Sequence, residues 1–293
     1  MTLSTAELAE ERRSGRIAGA VTIAAGVLIG VGTFWGLIID HDRPSGKAES
    51  LRFFHDHATE QVAASIVRAL GFLALIGTVV YLQRATKARN PEFPTVALVL
   101  GIIGCVASAA GTVGQAVALQ SQASDFVSQH FSTAHAADEA AKDATRDTWP
   151  VITLMGALAG TLALAFWFVI GSLNAMRVGL LTRFIGILGI IIGPGFVFGF
   201  APPVMVFWLI AVGMLFLGRW PRGRPPAWES GEARPWPGRD EIEEQPADEP
   251  LESAGGSRNG EVDAVGPGVR KANGDSEPAA ESPSPRRKRK RRS

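Results

Sequence analysis

Long apolar runs that are almost free of charge constrain this sequence more than any other feature. The first, residues 17–39, contains no charged side chain. Because an α-helix rises 1.5 Å per residue, this run extends over about 34 Å, enough to cross a hydrocarbon core of about 30 Å. Three further runs, at 62–82, 95–119 and 151–173, have the same character, and Arg68 is their one charged residue. The four runs predict membrane-spanning helices.

Two shorter apolar runs follow, at 184–200 and 204–218, and Pro202 and Pro203 lie between them. Proline lacks a backbone N–H and disfavours a helical conformation in the residue before it, so a single unbroken helix is excluded here. We expect a tight helical hairpin, although a re-entrant pair that never reaches the opposite surface stays open as an alternative. The predicted fold class is all-α, a polytopic transmembrane helix bundle of six spans with a disordered C-terminal tail.

The segments that flank these runs on the N-terminal side and in the largest loop also carry helical signals. Residues 1–16 contain Ser4 followed three residues later by Glu7, the pattern of a capping box, which predicts a short helix ahead of the first span. The loop at 120–150 contains an alanine-rich, acidic stretch at 134–148 that favours helix by propensity. We expect this loop to fold as a cap over the bundle.

The C-terminal quarter of the chain differs in composition from the rest. In residues 219–237 tryptophan recurs every eight residues among prolines and arginines, at Trp220, Trp228 and Trp236. Such rings prefer the headgroup layer, which predicts an interfacial segment along the membrane. Residues 238–293 are dominated by Pro, Gly, Ser and Glu without apolar periodicity, which predicts a disordered tail.

The distribution of lysine and arginine predicts the orientation. With six spans and an internal N-terminus, eleven basic residues fall on the inner side: Arg12, Arg13, Arg16, Arg84, Lys87, Arg89, Arg177, Arg183, Arg219, Arg222 and Arg224. The outer side then has five: Arg43, Lys47, Arg52, Lys142 and Arg146. We therefore expect a multi-pass protein of the cell membrane whose N- and C-termini are both cytoplasmic.

A basic cluster ends the chain. It consists of Arg286, Arg287, Lys288, Arg289, Lys290, Arg291 and Arg292. Each basic residue near an anionic membrane surface contributes about 1 kcal/mol, so the cluster predicts salt-sensitive adsorption to anionic lipid. A nucleic-acid partner is an alternative that composition does not exclude.

Two polar residues within the apolar runs are candidate functional residues. Arg68 lies six residues inside the second run, and Gln115 lies in the third. A charge at that depth costs at least a few kcal/mol unless it is paired or reaches the interface. Two interpretations stay open: the side chain of Arg68 extends outward to the membrane surface, or it forms a site within the bundle that faces Gln115 or a bound anion.

All histidines of the sequence fall in predicted outer loops, accompanied by acidic residues. Four of them are candidate metal ligands: His55, His57, His130 and His135. Imidazole and carboxylate together suit a divalent metal, but their spacing does not require one, and polar loops are where histidine is expected. We expect solvated loop side chains, and no cofactor is predicted.

Glycines four residues apart mark helix faces on which a neighbouring backbone can approach closely. The pairs with this spacing include Gly26 with Gly30, Gly32 with Gly36, and Gly156 with Gly160. Packing within the bundle is the simpler interpretation, and a homo-oligomer formed through these small-residue faces is the other.

Several short stretches resemble a known group of proteins. They are 174–184 (NAMRVGLLTRF), 207–209 (FWL), 218–221 (GRWP), 225–229 (PPAWE) and 235–237 (PWP). Over roughly residues 12–238 the chain resembles uncharacterised multi-spanning membrane proteins of high-GC bacteria that carry a domain of unknown function. The resemblance implies a bacterial inner-membrane protein, and it provides no catalytic or binding residue.

Three classes of function remain. The sequence has no HExxH, phosphate-binding loop, GxSxG or CxxC motif, so an enzyme is the minority interpretation. A structural, accessory or tethering membrane protein requires only the bundle and its tail. A transporter or channel, or a sensor that binds a ligand through the outer loops, is the alternative. The discriminating observation is a hydrated cavity lined by Arg68 and Gln115, as opposed to a dry bundle.

Overall fold

A computed structural model describes residues 4–129, 131, 133–144, 148–221 and 225–234. Within these residues every regular element is an α-helix, which confirms the predicted fold class. Trp236, the predicted disordered tail with its terminal basic cluster, and His130 lie outside the described residues.

The helices in chain order are α1 Thr5–Asp40, α2 Lys47–Asp56, α3 Ala58–Arg89, α4 Thr95–Ser128, α5 Ala134–Ala144, α6 Thr148–Arg177, α7 Arg183–Phe198, α8 Ala201–Phe216 and α9 Ala227–Ser230. Four of them, α1, α3, α4 and α6, are long and apolar enough to cross a membrane. Helices α7 and α8 have 16 residues each, about 24 Å, which is short of a full crossing. Four spans are therefore supported, and the count of six is not confirmed.

The N-terminal capping box is present, but the helix that it starts is not a separate element. The side chain of Ser4 accepts from the backbone N–H of Glu7, and the Glu7 carboxylate accepts from the backbone N–H of Ser4. From Thr5 the helix continues without a break to Asp40. The prediction of a short helix ahead of the first span is wrong, because no proline interrupts the chain between that segment and the apolar run.

The predicted cap is present at the C-terminal end of α1. Helix α4 continues past the apolar run to Ser128, and its last turns pack with α2 and α5. The cluster that holds this cap together consists of Ala48, Leu51, Phe54, Ala123, Phe126, Ala137 and Ala141. Burial of these side chains covers the end of the bundle at which Asp40 lies.

Six helices form a closed ring in the order α1, α3, α4, α6, α7, α8, each packed against its two neighbours. Neighbouring helices run antiparallel, so the bundle has two distinct ends. We name them the Asp40 end, where α1 ends and α3 begins, and the Glu11 end, where α1 begins and α3 ends.

Glycine allows the closest contacts between helices α4 and α6. A Cβ atom added to Gly104 would lie 2.6 Å from Leu164, and one added to Gly111 would lie 2.6 Å from Ala157. Gly160 on α6 is equally close to Ala107. Gly26, Gly30 and Gly32 also have neighbours within 4 Å of an added Cβ, whereas Gly36 and Gly156 have none. The packing interpretation is therefore confirmed for part of these faces only, and the homo-oligomer stays a prediction.

The expected hairpin is formed by α7 and α8, with a turn at Gly199, whose φ is +80°. Pro194 lies within α7, and Pro202 and Pro203 lie in the first turn of α8. Helix α8 therefore begins at Ala201, earlier than the apolar run at 204–218 indicates. The first N–H groups of a helix have no acceptor within the helix, so proline is tolerated in the first turn.

The segment after α8 folds back onto the Glu11 end. Trp228 is 4% exposed, its Nε1 donates to the Leu180 carbonyl at 2.8 Å, and its ring stacks on Tyr81 with centroids 5.8 Å apart. Trp220 packs against the same core. The protein itself thus supplies the indole of Trp228 with both an apolar surface and a hydrogen-bond acceptor, and the interfacial position of the segment stays a prediction.

Candidate functional site

On α1, α3 and α4, the side chains that face the interior of the ring are apolar in the middle of the bundle and polar near the Asp40 end. On α3, Leu75 is fully buried in the ring, and Arg68 lies seven residues before it on the same helix face. On α4, Thr112 lies seven residues after the fully buried Cys105. The polar side chains therefore face the interior of the ring and not the lipid.

These rows enclose a cavity of about 260 Å³ at the Asp40 end. Its lining residues on the helices are Gly32, Thr33, Gly36, Leu37 and Asp40 of α1, Gln61, Ala64, Ser65 and Arg68 of α3, and Thr112, Gln115, Ala116 and Leu119 of α4. Arg43 and Phe54 complete the lining. Helices α1, α3 and α4 thus form three walls, and the loop after α1 together with α2 forms the roof.

The structure brings both intramembrane candidates, Arg68 and Gln115, to this one cavity. Arg68 lines the part of the bundle below Asp40, and both interpretations of its side chain, extension towards the membrane surface and a site within the bundle, stay predictions. Its Nε is buried and has no hydrogen-bond partner among the described residues. An unpartnered guanidinium nitrogen at this depth is costly, and that cost is the most informative feature of the site.

The remaining charged groups of the cavity already have partners. Gln61 Nε2 donates to Asp40 Oδ1 at 3.0 Å. Arg43 Nε donates to Ser50 Oγ at 2.7 Å, and its guanidinium carbon lies 4.5 Å from the centroid of the Phe54 ring. Asp40 makes no ion pair with Arg68 within 4.0 Å in the described part of the chain. With two guanidinium groups and one carboxylate, the described lining carries a net positive charge.

The interior of the ring beyond the cavity is filled by large apolar side chains. Trp167, Phe168 and Trp208 are at most 1% exposed and pack edge-to-face on one another. Ile29 and Leu75 are buried to the same degree. The cavity therefore ends in a solid core on the Glu11 side.

A second buried arginine lies in that closed half of the bundle. Arg89 Nη1 and Nη2 donate to the two carboxylate oxygens of Glu11 at 2.8 and 2.9 Å. Nε and Nη2 also donate to the Ala227 carbonyl at 3.0 and 2.9 Å. Arg89 thus holds the start of α1, the end of α3 and the segment around Trp228 together.

The candidate metal ligands are not brought together. His55 Nδ1 lies 3.4 Å from Ser124 Oγ, the ring of His57 stacks on Phe53, and His135 Nε2 lies 3.5 Å from Glu139 Oε1. Across the described residues no group of three His, Cys, Asp or Glu side chains is placed to hold a metal ion. The described lining of the cavity offers two guanidinium groups, one carboxylate, and neutral amide and hydroxyl groups for hydrogen bonding.

Sequence reasoning identified Arg68 and Gln115 but missed Asp40, Arg43 and Gln61. A detectable pattern existed for Gln61, because Gln61, Ser65 and Arg68 are spaced as one face of a helix. No pattern pointed to Arg43, because its place over the cavity depends on the turn between α1 and α2.

One comparison with known proteins identifies a relationship. A family model described as a domain of unknown function, DUF4386, matches residues 17–220, which include α1 from its apolar part onward, the whole cavity and the α7–α8 hairpin. No curated protein and no solved structure matches the chain. Because the match covers more than half of the sequence, this protein belongs to the DUF4386 family.

Proposed function

We propose that this protein is a ligand-binding protein of the cell membrane and that its cavity binds an anionic ligand at Arg68. The observation that carries the proposal is Arg68, which lines a cavity of net positive charge and whose buried Nε has no hydrogen-bond partner among the described residues. A cation inside a membrane-spanning helix costs at least a few kcal/mol unless it is paired. A bound anion provides that pairing.

The lining chemistry supports a carboxylate or a phosphate as the recognised group. A guanidinium presents its donors in a planar fork that matches the two oxygens of either group. Thr112 and Gln115 of α4 add neutral hydrogen-bonding groups from the facing wall. Arg43 adds a second positive charge at the roof while it remains held by Ser50.

The solid core beyond the cavity favours a receptor or sensor over an open channel. A channel requires a continuous polar path, whereas Trp167, Phe168 and Trp208 fill the ring on the Glu11 side. A purely structural protein would gain nothing from an unpaired arginine in its interior, because an apolar side chain of similar size would stabilise the bundle more. The cavity therefore raises the sensor alternative above the structural or tethering role.

The charge distribution supports an orientation with both termini in the cytoplasm. Basic residues concentrate at the Glu11 end, where α1 starts and α3 ends, and are fewer at the Asp40 end. In this orientation the cavity lies in the extracytoplasmic half of the bundle. The C-terminal basic cluster would then face the anionic inner leaflet.

Thermal unfolding of the purified full chain in dodecyl maltoside tests the proposal. Tryptophan fluorescence reports the melting temperature with inorganic phosphate, acetate or laurate, and with equal ionic strength of sodium chloride as reference. A ligand at a hundred times its Kd stabilises the folded state by about 2.7 kcal/mol, which is a rise of roughly 5 to 10 °C for a domain of this size.

Two substitutions on α3 make the result specific. Arg68→Leu should abolish the rise, whereas Arg84→Leu, which removes an exposed arginine of the same helix, should retain it. A panel in which no anion produces an Arg68-dependent rise would contradict the proposed function.

A further inference from the structure

The α7–α8 hairpin fills only part of the ring along its axis. Its two helices have 16 residues each, whereas α1, α3, α4 and α6 have 30 to 36. Close contacts between α1 and α8 begin where Gly15 meets Phe216 and continue to Gly30, which meets Val206. Helix α1 continues for ten residues beyond Gly30. Over these ten residues, the side of α1 that faces the hairpin makes no such close contact with α8.

Helix α6 has the same uncovered stretch on the other side of the hairpin. Gly193 of α7 packs against Ala165 and Val169 of α6. The same row of α6 continues towards the Asp40 end as Leu158 and Leu154, which are 47% and 38% exposed. Helices α1 and α6 are not packed on one another in the described part of the chain. A lateral opening therefore lies between them, on the Asp40 side of the hairpin tip.

The lateral opening has an apolar rim. Phe198 and Phe200 at the hairpin tip are 75% and 43% exposed and stack on each other. Leu37 of α1 is 58% exposed and also lines the cavity. None of the described lining residues comes from α6, α7 or α8, so the unwalled side of the cavity faces this opening.

We propose that the ligand is a membrane amphiphile whose anionic headgroup pairs with Arg68 in the cavity and whose apolar chain leaves through the lateral opening. This inference rests on the proposed function and adds the class of ligand. A volume of about 260 Å³ is at the lower limit of ligand pockets and suits a carboxylate or phosphate headgroup rather than a whole lipid. The alkyl chain of the amphiphile must then lie outside the cavity, where Leu37, Leu158, Phe198 and Phe200 provide an apolar surface.

A small soluble anion fits these observations less well. It would leave the exposed leucine and phenylalanine side chains of the lateral opening without a contact, whereas an alkyl chain would cover them. The positive charge of the cavity suits an anionic headgroup, and the apolar surface of the lateral opening suits an alkyl chain. Together they match a membrane amphiphile.

Photo-crosslinking of the full chain in dodecyl maltoside tests the inference. The probe is a long-chain fatty acid with a diazirine near the end of its chain, and mass spectrometry identifies the labelled residues. We expect label at Leu154, Leu158 and Phe198 in at least fivefold excess over Val99 and Val106, which face outward on α4 with 47% exposure each.

The excess should disappear in Arg68→Leu and in Gly36→Leu, remain in Arg84→Leu, and be absent for the corresponding diazirine alcohol. The Gly36 substitution serves as the second variant because nothing lies within 4 Å of an added Cβ there, so a leucine fills the cavity without a clash.

Two results would overturn the inference and separate it from the proposed function. If phosphate or acetate raises the melting temperature through Arg68 while the fatty acid labels the opening no more than Val99 and Val106, the anion site stands and the amphiphile is wrong. If neither the melting temperature nor the labelling depends on Arg68, both proposals fail.

Discussion

Two arginines on the same helix show how surroundings decide the role of a buried cation. Arg89 is fully covered, pairs with both oxygens of Glu11 and donates to the Ala227 carbonyl. Arg68 has a buried Nε without a partner among the described residues. Arg89 therefore stabilises the fold, whereas Arg68 is the residue on which the proposed ligand site rests.

Substitution of the two arginines should have opposite effects on stability. Arg89→Met leaves Glu11 without its partner and should lower the free energy of unfolding by about 3 kcal/mol. Arg68→Leu, without ligand, should leave it unchanged or raise it by about 1 kcal/mol, because an unpaired charge is removed. Unfolding by denaturing detergent measures both, with Arg84→Leu as the control. A loss in Arg68→Leu as large as that in Arg89→Met would show that Arg68 has a structural partner.

At the scale of the helices, glycine serves two different purposes. Gly111 of α4 allows contact with α6, since an added Cβ would lie 2.6 Å from Ala157. Gly36 of α1 meets nothing within 4 Å and borders the cavity. Glycine thus allows α4 and α6 to pack closely, and it leaves open space beside α1.

Leucine substitutions should separate these purposes. Gly111→Leu forces α4 and α6 apart and should cost about 1 to 3 kcal/mol of stability. Gly36→Leu should keep the melting temperature within a few degrees of wild type and lose the response to anionic ligands. Thermal unfolding with and without laurate measures both effects. Retention of the full anion response in Gly36→Leu would place the ligand elsewhere.

The reach of sequence reasoning also differs from helix to helix. The apolar runs predicted the long helices because the bilayer fixes the length of a crossing. The alanine-rich loop predicted the cap because propensity is local. The place of Trp228 was missed because its burial depends on Tyr81 and the Leu180 carbonyl, which are distant in sequence. Arg43 was missed for the same reason, since its place over the cavity depends on a turn.

For the whole molecule, the two ends of the ring differ in what covers them. At the Glu11 end, Arg89 and Trp228 hold the segment after α8 on the ring, and a second cavity of about 310 Å³ is lined by Arg12, Arg16, Leu217, Gly218 and Glu229. The Asp40 end is covered by α2 and α5 with the cavity of Arg68 beneath them. Orientation in the membrane therefore decides which compartment the cavity faces.

Reporter fusions test that orientation. Because basic residues are concentrated at the Glu11 end, reporters fused at Gly46 and Ala137 should be extracytoplasmic and one at Arg89 cytoplasmic. Paired alkaline phosphatase and fluorescent protein fusions at each site measure this. The inverse pattern at all three sites would place the cavity on the cytoplasmic side.

Cysteine labelling tests the anion site most directly. In a Cys105→Ala background, Gln115→Cys places a thiol on the exposed cavity wall, and its reaction rates with an anionic and a cationic methanethiosulfonate are compared in the full chain. We expect the ratio of anionic to cationic rates to fall roughly tenfold on Arg68→Leu, equivalent to about 1.4 kcal/mol, and to stay unchanged on Arg84→Leu. A thiol that reacts with neither reagent, or a ratio that does not depend on Arg68, would contradict an anion-binding cavity.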